Sequence, residues 1–290
     1  MESSRCRAFI TAAETGSFSK AAEILNYTPS GGSQLVTALE NELGFKLLRR
    51  SRRGVSVTQN GERMIPLIKE FVIKENSIRE MAAEIKGLTI GNVTVAAYSS
   101  ISANCLAEVI KNFQEDYPDV EINLMEGIRK EVCGWIEDKT ADVAFLSYKD
   151  DMQYDWIPLA DDRMVAVLPR DHKMAERQAY PISECQKEKF IMPALGHDDD
   201  VTELFKKNGL TPEIKFSTFE NFSAMAMIEQ GMGMSIMNEL ITKRWDCDVV
   251  KLPLDPPQHI TLGMALISFE EASPAVKRFV RYSEKRLAEI

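Results

Sequence analysis

Three histidines, His172, His197 and His259, are the side chains best suited to move protons or hold a metal near neutral pH, and their spacing suits neither task. No two of them stand at the i, i+4 spacing that sets a pair of ligands on one helix face. His197 with Asp198, Asp199 and Asp200 could bind a metal; the acidic first turn of a helix explains the run better, because carboxylates there meet the positive end of the helix dipole. Cys6, Cys105, Cys133, Cys185 and Cys247 are scattered, odd in number and lack C-x-x-C spacing, so neither a disulfide framework nor a zinc cluster is supported. There is no G-x-G-x-x-G, P-loop or G-x-S-x-G, and Gly231-Met-Gly-Met-Ser has the wrong order for a nucleophile turn. Catalysis is not indicated, and no catalytic residue, metal or cofactor is assigned.

Binding chemistry is better supplied. Lys46, Arg49, Arg50, Arg52 and Arg53 crowd the segment FKLLRRSRRGVSVT and could neutralise phosphates, the alternative being a solvated basic loop. Ser99, Ser100 and Ser102 follow one apolar run and precede a helix whose N–H groups and dipole favour an anion such as a carboxylate, the alternative being a plain serine cap. Ser147 ends another apolar run. Met225, Met227, Met232, Met234 and Met237 fit core filling better than a ligand surface.

The elements that must position these groups begin with short amphipathic helices. Phe9, Ile10, Ala12 and Ala13 give the first its apolar side, and Gly16 breaks it. Ser17 can cap a second helix through FSKAAEIL, which Asn26 and Tyr27 end. Thr28-Pro29 starts a third, because Thr accepts an orphan N–H and Pro at the first helical position gives up a donor without a partner. Leu35, Val36, Leu39 and Leu43 form its apolar stripe, Ser30, Ser33, Gln34 and Thr37 its polar side, and Gly44 its stop. FKLLRRSRRGVSVT then reads as two short strands around a turn at Ser51 to Gly54. A helix pair with small polar groups near the start of its second member suits a major groove, and turn arginines suit a minor one.

The run ETGSFSKAAEILNYTPSGGSQLVTALENELGFKLLRRSRRGVSVTQNGE resembles the winged helix-turn-helix of LysR-type transcriptional regulators. The match lies in G-S-F-x-x-A-A-x-x-L, S-x-x-x-x-x-L-E-x-x-L-G and R-x-x-x-G-V-x-x-T-x-x-G. The resemblance implies that Thr28, Pro29, Ser30, Ser33 and Gln34 face bases or phosphates of double-stranded DNA and that Arg50, Arg52 and Arg53 form the wing. The family usually carries Gln at position 29, which can read adenine, whereas Pro29 offers only apolar contact. It carries a branched aliphatic residue at position 32, where this chain has Gly32 after Gly31. Two such glycines cost about 1 kcal/mol each relative to alanine, which predicts a loosened reading helix, weaker DNA binding, and a gain in both on restoring Val at 32.

After Thr58, a helix runs from Gln59 to Lys86 with Met64, Ile68, Phe71, Ile78, Ala82 and Ile85 at alternating steps of four and three, Glu75 excepted. This is a coiled-coil seam, the alternative being one helix packed on its own domain. A single reading head covers half a palindrome, so a homodimer or homotetramer is expected. Lys86-Gly87-Leu88 would be the hinge.

Beyond it, strands and helices alternate: IGNVTVAA, a helix ended by Pro118, VEINLMEG, a helix over Arg129 to Asp138, DVAFLS, then MVAVLP, KFIMP, a helix from about Asp199 to Asn208, EIKFST, a helix through NFSAMAMIEQG, MGMSIM, ITLGMALIS and a last helix over Pro274 to Ala288. Such repetition predicts a mostly parallel sheet with ligands at the carboxyl ends of its strands. LPRDHKMA, EQGMGMSIM and YPDVEI are similar to the same family, whose later domain is two α/β lobes, like periplasmic solute-binding proteins, closing on a small effector. The resemblance places Leu195-Gly196-His197 and Thr218-Phe219 on the lobe opposite Ser99, Ser100, Ser102 and Ser147.

The expected organisation is therefore α/β and multi-domain: a winged helix-turn-helix at 1–58, a linker and dimerisation helix at 59–88, and an effector-binding domain at 89–290, with lobe I about 89–161 and 268–290 and lobe II about 162–267. Charge agrees. The chain's net charge of -9 averages a head and linker with 13 Lys/Arg against 10 Asp/Glu, a net of +3, and a remainder with 22 against 34, a net of -12. The basic part suits a polyanion. No secretory run opens the sequence and none reaches the roughly 18 apolar residues of a membrane span, so a cytoplasmic protein with no membrane partner is expected. A solute-binding protein would carry a signal peptide and no basic head; an enzyme would need a site that is not evident.

Overall fold

A computed structural model describes residues 1–51, 54–196 and 198–287 and divides into two units, Met1–Gly91 and Asn92–Ile290. The first unit opens with α1 (Ser3–Thr15), stopped by Gly16 in the left-handed conformation. Ser17 caps α2 (Phe18–Ile24) by accepting from Lys20 N–H, and Thr28 caps α3 (Pro29–Leu43) by accepting from Gly31 N–H. Gly44, left-handed at φ 81°, ends α3. Strands β1 (Leu48–Ser51) and β2 (Gly54–Val57) form the antiparallel wing, and Thr58 caps α4 (Gln59–Ile85). Phe9, Ala12, Ala21, Val36, Leu39, Leu47 and Ile68 close one core.

The periodic seam of α4 divides in use. Ile68 is buried in this core and Met64 and Phe71 pack against it, so this stretch of the seam belongs to its own domain. Glu75, the charged exception, receives Arg7 Nη2 of α1 at 2.8 Å, which ties the helix to the head. Beyond it Ile78 and Ile85 are 69% and 80% exposed, and Met81 and Ala82 are exposed with them.

The second unit contains β3 (Gly91–Ala97), α5 (Ser99–Ile101), α6 (Ala107–Asp116), β4 (Val120–Glu126), α7 (Arg129–Glu137), β5 (Val143–Ser147), β6 (Asp155–Pro169), β7 (Tyr180–Pro181), β8 (Lys189–Met192), α8 (Asp199–Asn208), β9 (Glu213–Ser217), α9 (Asn221–Glu229), β10 (Ser235–Asn238), α10 (Glu239–Thr242), β11 (Val249–Asp255), β12 (His259–Leu266) and α11 (Pro274–Leu287). The main sheet runs β4-β3-β5-β12-β6-β11-β7, with β10 also on β6. It is mixed, which corrects the mostly parallel expectation. β3 and β5 are parallel, but β12 is antiparallel to both β5 and β6, and β6 is antiparallel to β10 and β11.

The cause is β6, a fifteen-residue strand of which the sequence pattern displays only the apolar second half. Its first half pairs with β12 and its second with β10 and β11, so β6 crosses between two cores. One core holds Val93, Phe113, Phe145 and Phe279; the other holds Ala166, Phe190, Phe205 and Ile236. These are the two lobes. A second correction concerns the helix after β3: α5 and α6 are separated by a π-helical turn, Ser102–Leu106. Such turns disturb the regular hydrogen-bond ladder and occur often at functional sites.

Candidate functional site

On the first unit, Thr28, Pro29, Ser30 and Gln34 are exposed at the start of α3, while Ser33 is half-buried. Arg50 is less free than the sequence suggests. Its Nη2 donates to Ser33 Oγ at 2.7 Å and Thr37 Oγ1 at 3.4 Å, and its guanidinium lies 4.6 Å from the Phe18 ring centroid. It therefore joins the wing to the reading helix. Arg52 and Arg53 lie outside the described residues.

Gly32 is buried, and a Cβ there would stand 3.2 Å from Ala22 Cβ. The helices therefore approach closely at the missing side chain, and a larger residue at 32 requires Ala22 to give by a few tenths of an ångström. Glu40, the glutamate of the L-E-x-x-L-G motif, is buried at the far side of α3 and anchors the wing. It accepts from Leu47 N–H at 2.9 Å, Leu48 N–H at 3.0 Å and Lys46 Nζ at 2.6 Å. Burial opposes its charge, but the Lys46 bond and the two N–H groups outweigh that and hold the carboxyl below its ordinary range.

On the second unit, Ser147 is the sequence-predicted residue around which others gather. Fully buried at the end of β5, it donates through Oγ to Asp200 Oδ1 at 2.9 Å, on the first turn of α8 in the opposite lobe. Arg129 Nη1, at the start of α7, donates to Ser147 O at 2.9 Å and Oγ at 3.2 Å and to the Tyr98 hydroxyl at 3.3 Å. Lys149 Nζ stands 2.8 Å from Asp200 Oδ1 and 2.5 Å from Glu203 Oε2. Arg129 Nε also lies 3.9 Å from Asp199 Oδ2.

The electrostatics are strong because the groups are shielded. Burial pulls the Lys149 ammonium down, yet Asp200 and Glu203 raise it further, so it stays charged. The bond from Lys149, with another from Lys207, drops Glu203 to about 2. Burial, aided by the charge of Asp200, pushes the Tyr98 phenol up and keeps it protonated. Asp198 caps α8 by accepting from the N–H groups of Asp200 and Val201, and burial raises it to about 6. The acidic run thus works as a helix start whose third carboxylate reaches across the cleft. A groove of about 660 Å³ adjoins it, lined by Arg129, Lys149, Asp199, Thr202, Glu203 and Lys206.

Among the described residues, the remaining predicted positions add no side-chain bond to this cluster, although Ser102 N–H donates to Tyr98 O at 3.0 Å. Ser99 is exposed at the start of α5, and Ser100 O accepts from Asn104 Nδ2 at 2.8 Å. Ser102 lies in the π-helical turn with its Oγ buried and unpartnered among the described residues. Gly196 sits in a short 3-10 turn (Ala194–Gly196) at φ 84° against Ser217; Thr218 bonds within its own lobe to Glu220 O, and Phe219 is half-exposed. His197 lies outside the described residues. Arg129, Lys149 and Tyr98 were not picked out from the sequence. The available signal was position: each stands just past the end of a strand or at the start of a helix that follows one, where open α/β sheets bind ligands.

Known proteins match the whole chain. The bacterial regulatory helix-turn-helix domain of the lysR family matches residues 4–62, and the LysR substrate binding domain matches residues 86–288. The HTH-type transcriptional regulator YvbU of Bacillus subtilis (strain 168) is 31% identical over 289 residues, covering 98% of both proteins. The crystal structure of HinK, a LysR family transcriptional regulator from Pseudomonas aeruginosa, superposes with a TM-score of 0.61 at 25% identity, covering 100% of this chain and 99% of that one. The effector binding domain of QuiR in complex with shikimate shares the fold at a TM-score of 0.62 and 19% identity, covering 69% of this chain and 99% of that one. Among the described residues no helix is long and apolar enough to cross a membrane.

Proposed function

The chain belongs to the LysR family of transcriptional regulators, and on that premise we propose how its parts divide the work of a DNA-binding regulator controlled by a small-molecule effector. Residues 1–58 read DNA through Thr28, Pro29, Ser30, Ser33 and Gln34, with Arg50, Arg52 and Arg53 on the wing. Residues 59–88 pair two copies through the exposed Ile78, Met81, Ala82 and Ile85, since a lone helix with such a stripe buries it against a second copy. Residues 89–290 sense the effector between lobe I, about 89–161 and 268–290, and lobe II, about 162–267. The protein acts in the cytoplasm, as a homodimer or a pair of dimers.

The effector is a small carboxylate. The observation that carries this reading is the cluster of Arg129, Tyr98, Ser147 and Lys149 at the carboxyl end of β5, a set of donors and cations facing the other lobe. Ser99, Ser100, Ser102, Gly196, His197, Thr218 and Phe219 complete the walls. The binding of shikimate, a carboxylate, by a protein of the same fold supports it. The ligand acts through unequal affinity for two lobe arrangements, which set the spacing of the reading heads.

A thermal-shift screen of the whole chain against small carboxylates tests this. A binder at about 100 times its dissociation constant adds roughly 2.7 kcal/mol to the sensor unit. Arg129→Met should abolish the shift; an equal shift in that variant would place the effector elsewhere.

A further inference from the structure

The anion site at the end of β5 already holds a carboxylate, and it is the protein's own. Asp200 Oδ1 accepts from Ser147 Oγ at 2.9 Å and lies 2.8 Å from Lys149 Nζ, with the Asp200 and Lys149 side chains each only 14% exposed. Arg129, 15% exposed, is bonded to the same Ser147 hydroxyl. The partners come from opposite lobes, Ser147 and Lys149 beside β5 and Asp200 on α8.

Donor counting makes this occupancy exclusive. A serine hydroxyl has one proton to donate, and that of Ser147 goes to Asp200. An ammonium has three, and those of Lys149 face Asp200 Oδ1, Glu203 Oε2 at 2.5 Å and Asp199 O at 3.5 Å. An incoming anion can gain the Ser147 proton and the Lys149 charge only after Asp200 has left. Charge counting agrees: the three carboxylates Asp199, Asp200 and Glu203 are matched by three cations, Arg129, Lys149 and Lys207, the last 2.7 Å from Glu203.

We propose that Asp200 is an internal stand-in for the anionic group of the effector: it fills the Ser147–Lys149–Arg129 site in the unliganded protein, bridges the lobes, and is displaced when a small organic anion binds. This rests on the effector site described above and adds that affinity and the lobe linkage are set by one competing side chain. A ligand carboxylate takes over the bonds of Asp200, and the lobe contact that those bonds made is then made by the ligand or lost.

Binding of acetate and of inorganic phosphate, each titrated separately into the full chain at constant ionic strength, tests the proposal. Asp200→Asn keeps the shape and removes the competing charge, and Asp200→Ser serves if the first variant fails to fold. The Asn variant should bind one or both probes about tenfold more tightly than the wild type, as expected if Asp200 leaves the site open about one-tenth of the time. Adding Ser147→Ala should remove the gain. A gain with acetate alone marks a carboxylate site, and a gain with phosphate alone marks a phosphoryl site. Equal or weaker affinity for both probes, a gain that survives Ser147→Ala, or no binding to any of these proteins would overturn the proposal. Arg129→Met separates it from the broader reading: if that change abolishes binding while Asp200→Asn gives no gain, only the role of Asp200 fails; if binding survives Arg129→Met, the effector site itself is misplaced.

Discussion

The reading head and the sensor cleft both use buried carboxylates, but they use them in opposite ways. In the head, Glu40 binds two backbone N–H groups and one lysine seven or so residues along the chain, within a single core. Nothing else can take its place, so the wing is fixed to α3. In the cleft, Asp200 binds a hydroxyl and an ammonium from the other lobe, groups that an outside anion could bind as well. A carboxylate on backbone donors makes a rigid joint; a carboxylate on side-chain donors across a cleft makes an exchangeable one. Rigidity suits a surface that must match DNA, and exchange suits a surface that must respond.

The largest effect that would break this contrast is expected at Glu40. Glu40→Ala leaves two N–H groups and Lys46 without their acceptor, and should destabilise the first unit by about 3 kcal/mol. In calorimetry of the whole chain the head should melt earlier while the sensor transition stays in place; a joint shift would deny the head its separate stability. Next is the exposed end of α4. Ile78→Glu with Ile85→Glu removes four aliphatic side chains from a symmetric pair and should raise the dimer dissociation constant by at least about a hundredfold, measured by sedimentation equilibrium. An unchanged dimer would mean that pairing lies elsewhere.

The smallest effect concerns pH. Glu40 sits below its ordinary range, so its contribution to the head is present above the unfolded value of 4.5 and is lost as the pH falls through the lowered folded value. Asp198 is raised to about 6 from 3.8, so its contribution to the sensor is full below 3.8 and is lost as the pH climbs through 6. Between about pH 4 and 6 the head transition should therefore hold or rise while the Asp198 contribution to the sensor falls. Parallel curves would show that the two units do not differ in this way.

Legibility in the sequence followed the range of the interactions. The caps Ser17, Thr28 and Thr58 and the stops Gly16 and Gly44 act over three or four residues, and each works where its spacing places it. The bounds of α8 and α3 follow from the same local chemistry. Glu40 was visible as a motif letter, but its partners at 47 and 48 depend on how the wing turns back. The seam of α4 looked uniform because periodicity registers an apolar face and not what covers it; Arg7 on Glu75 marks where its use changes. The antiparallel crossing was hidden because the first half of β6, DWIPLADDR, is half-exposed and carries no alternation strong enough to announce a strand. The cleft cluster joins positions 129, 147, 149 and 200, brought together by sheet order alone.

The most direct measurement is the affinity of the full chain for a duplex it has itself selected from random DNA, with and without a saturating small carboxylate, in the wild type and in Arg129→Met. Coupling between the cleft and the heads predicts that ligand changes the wild-type dissociation constant by about fivefold to a hundredfold and leaves the variant unmoved. Identical DNA affinity with and without ligand in the wild type, at a concentration that saturates the cleft, would contradict it.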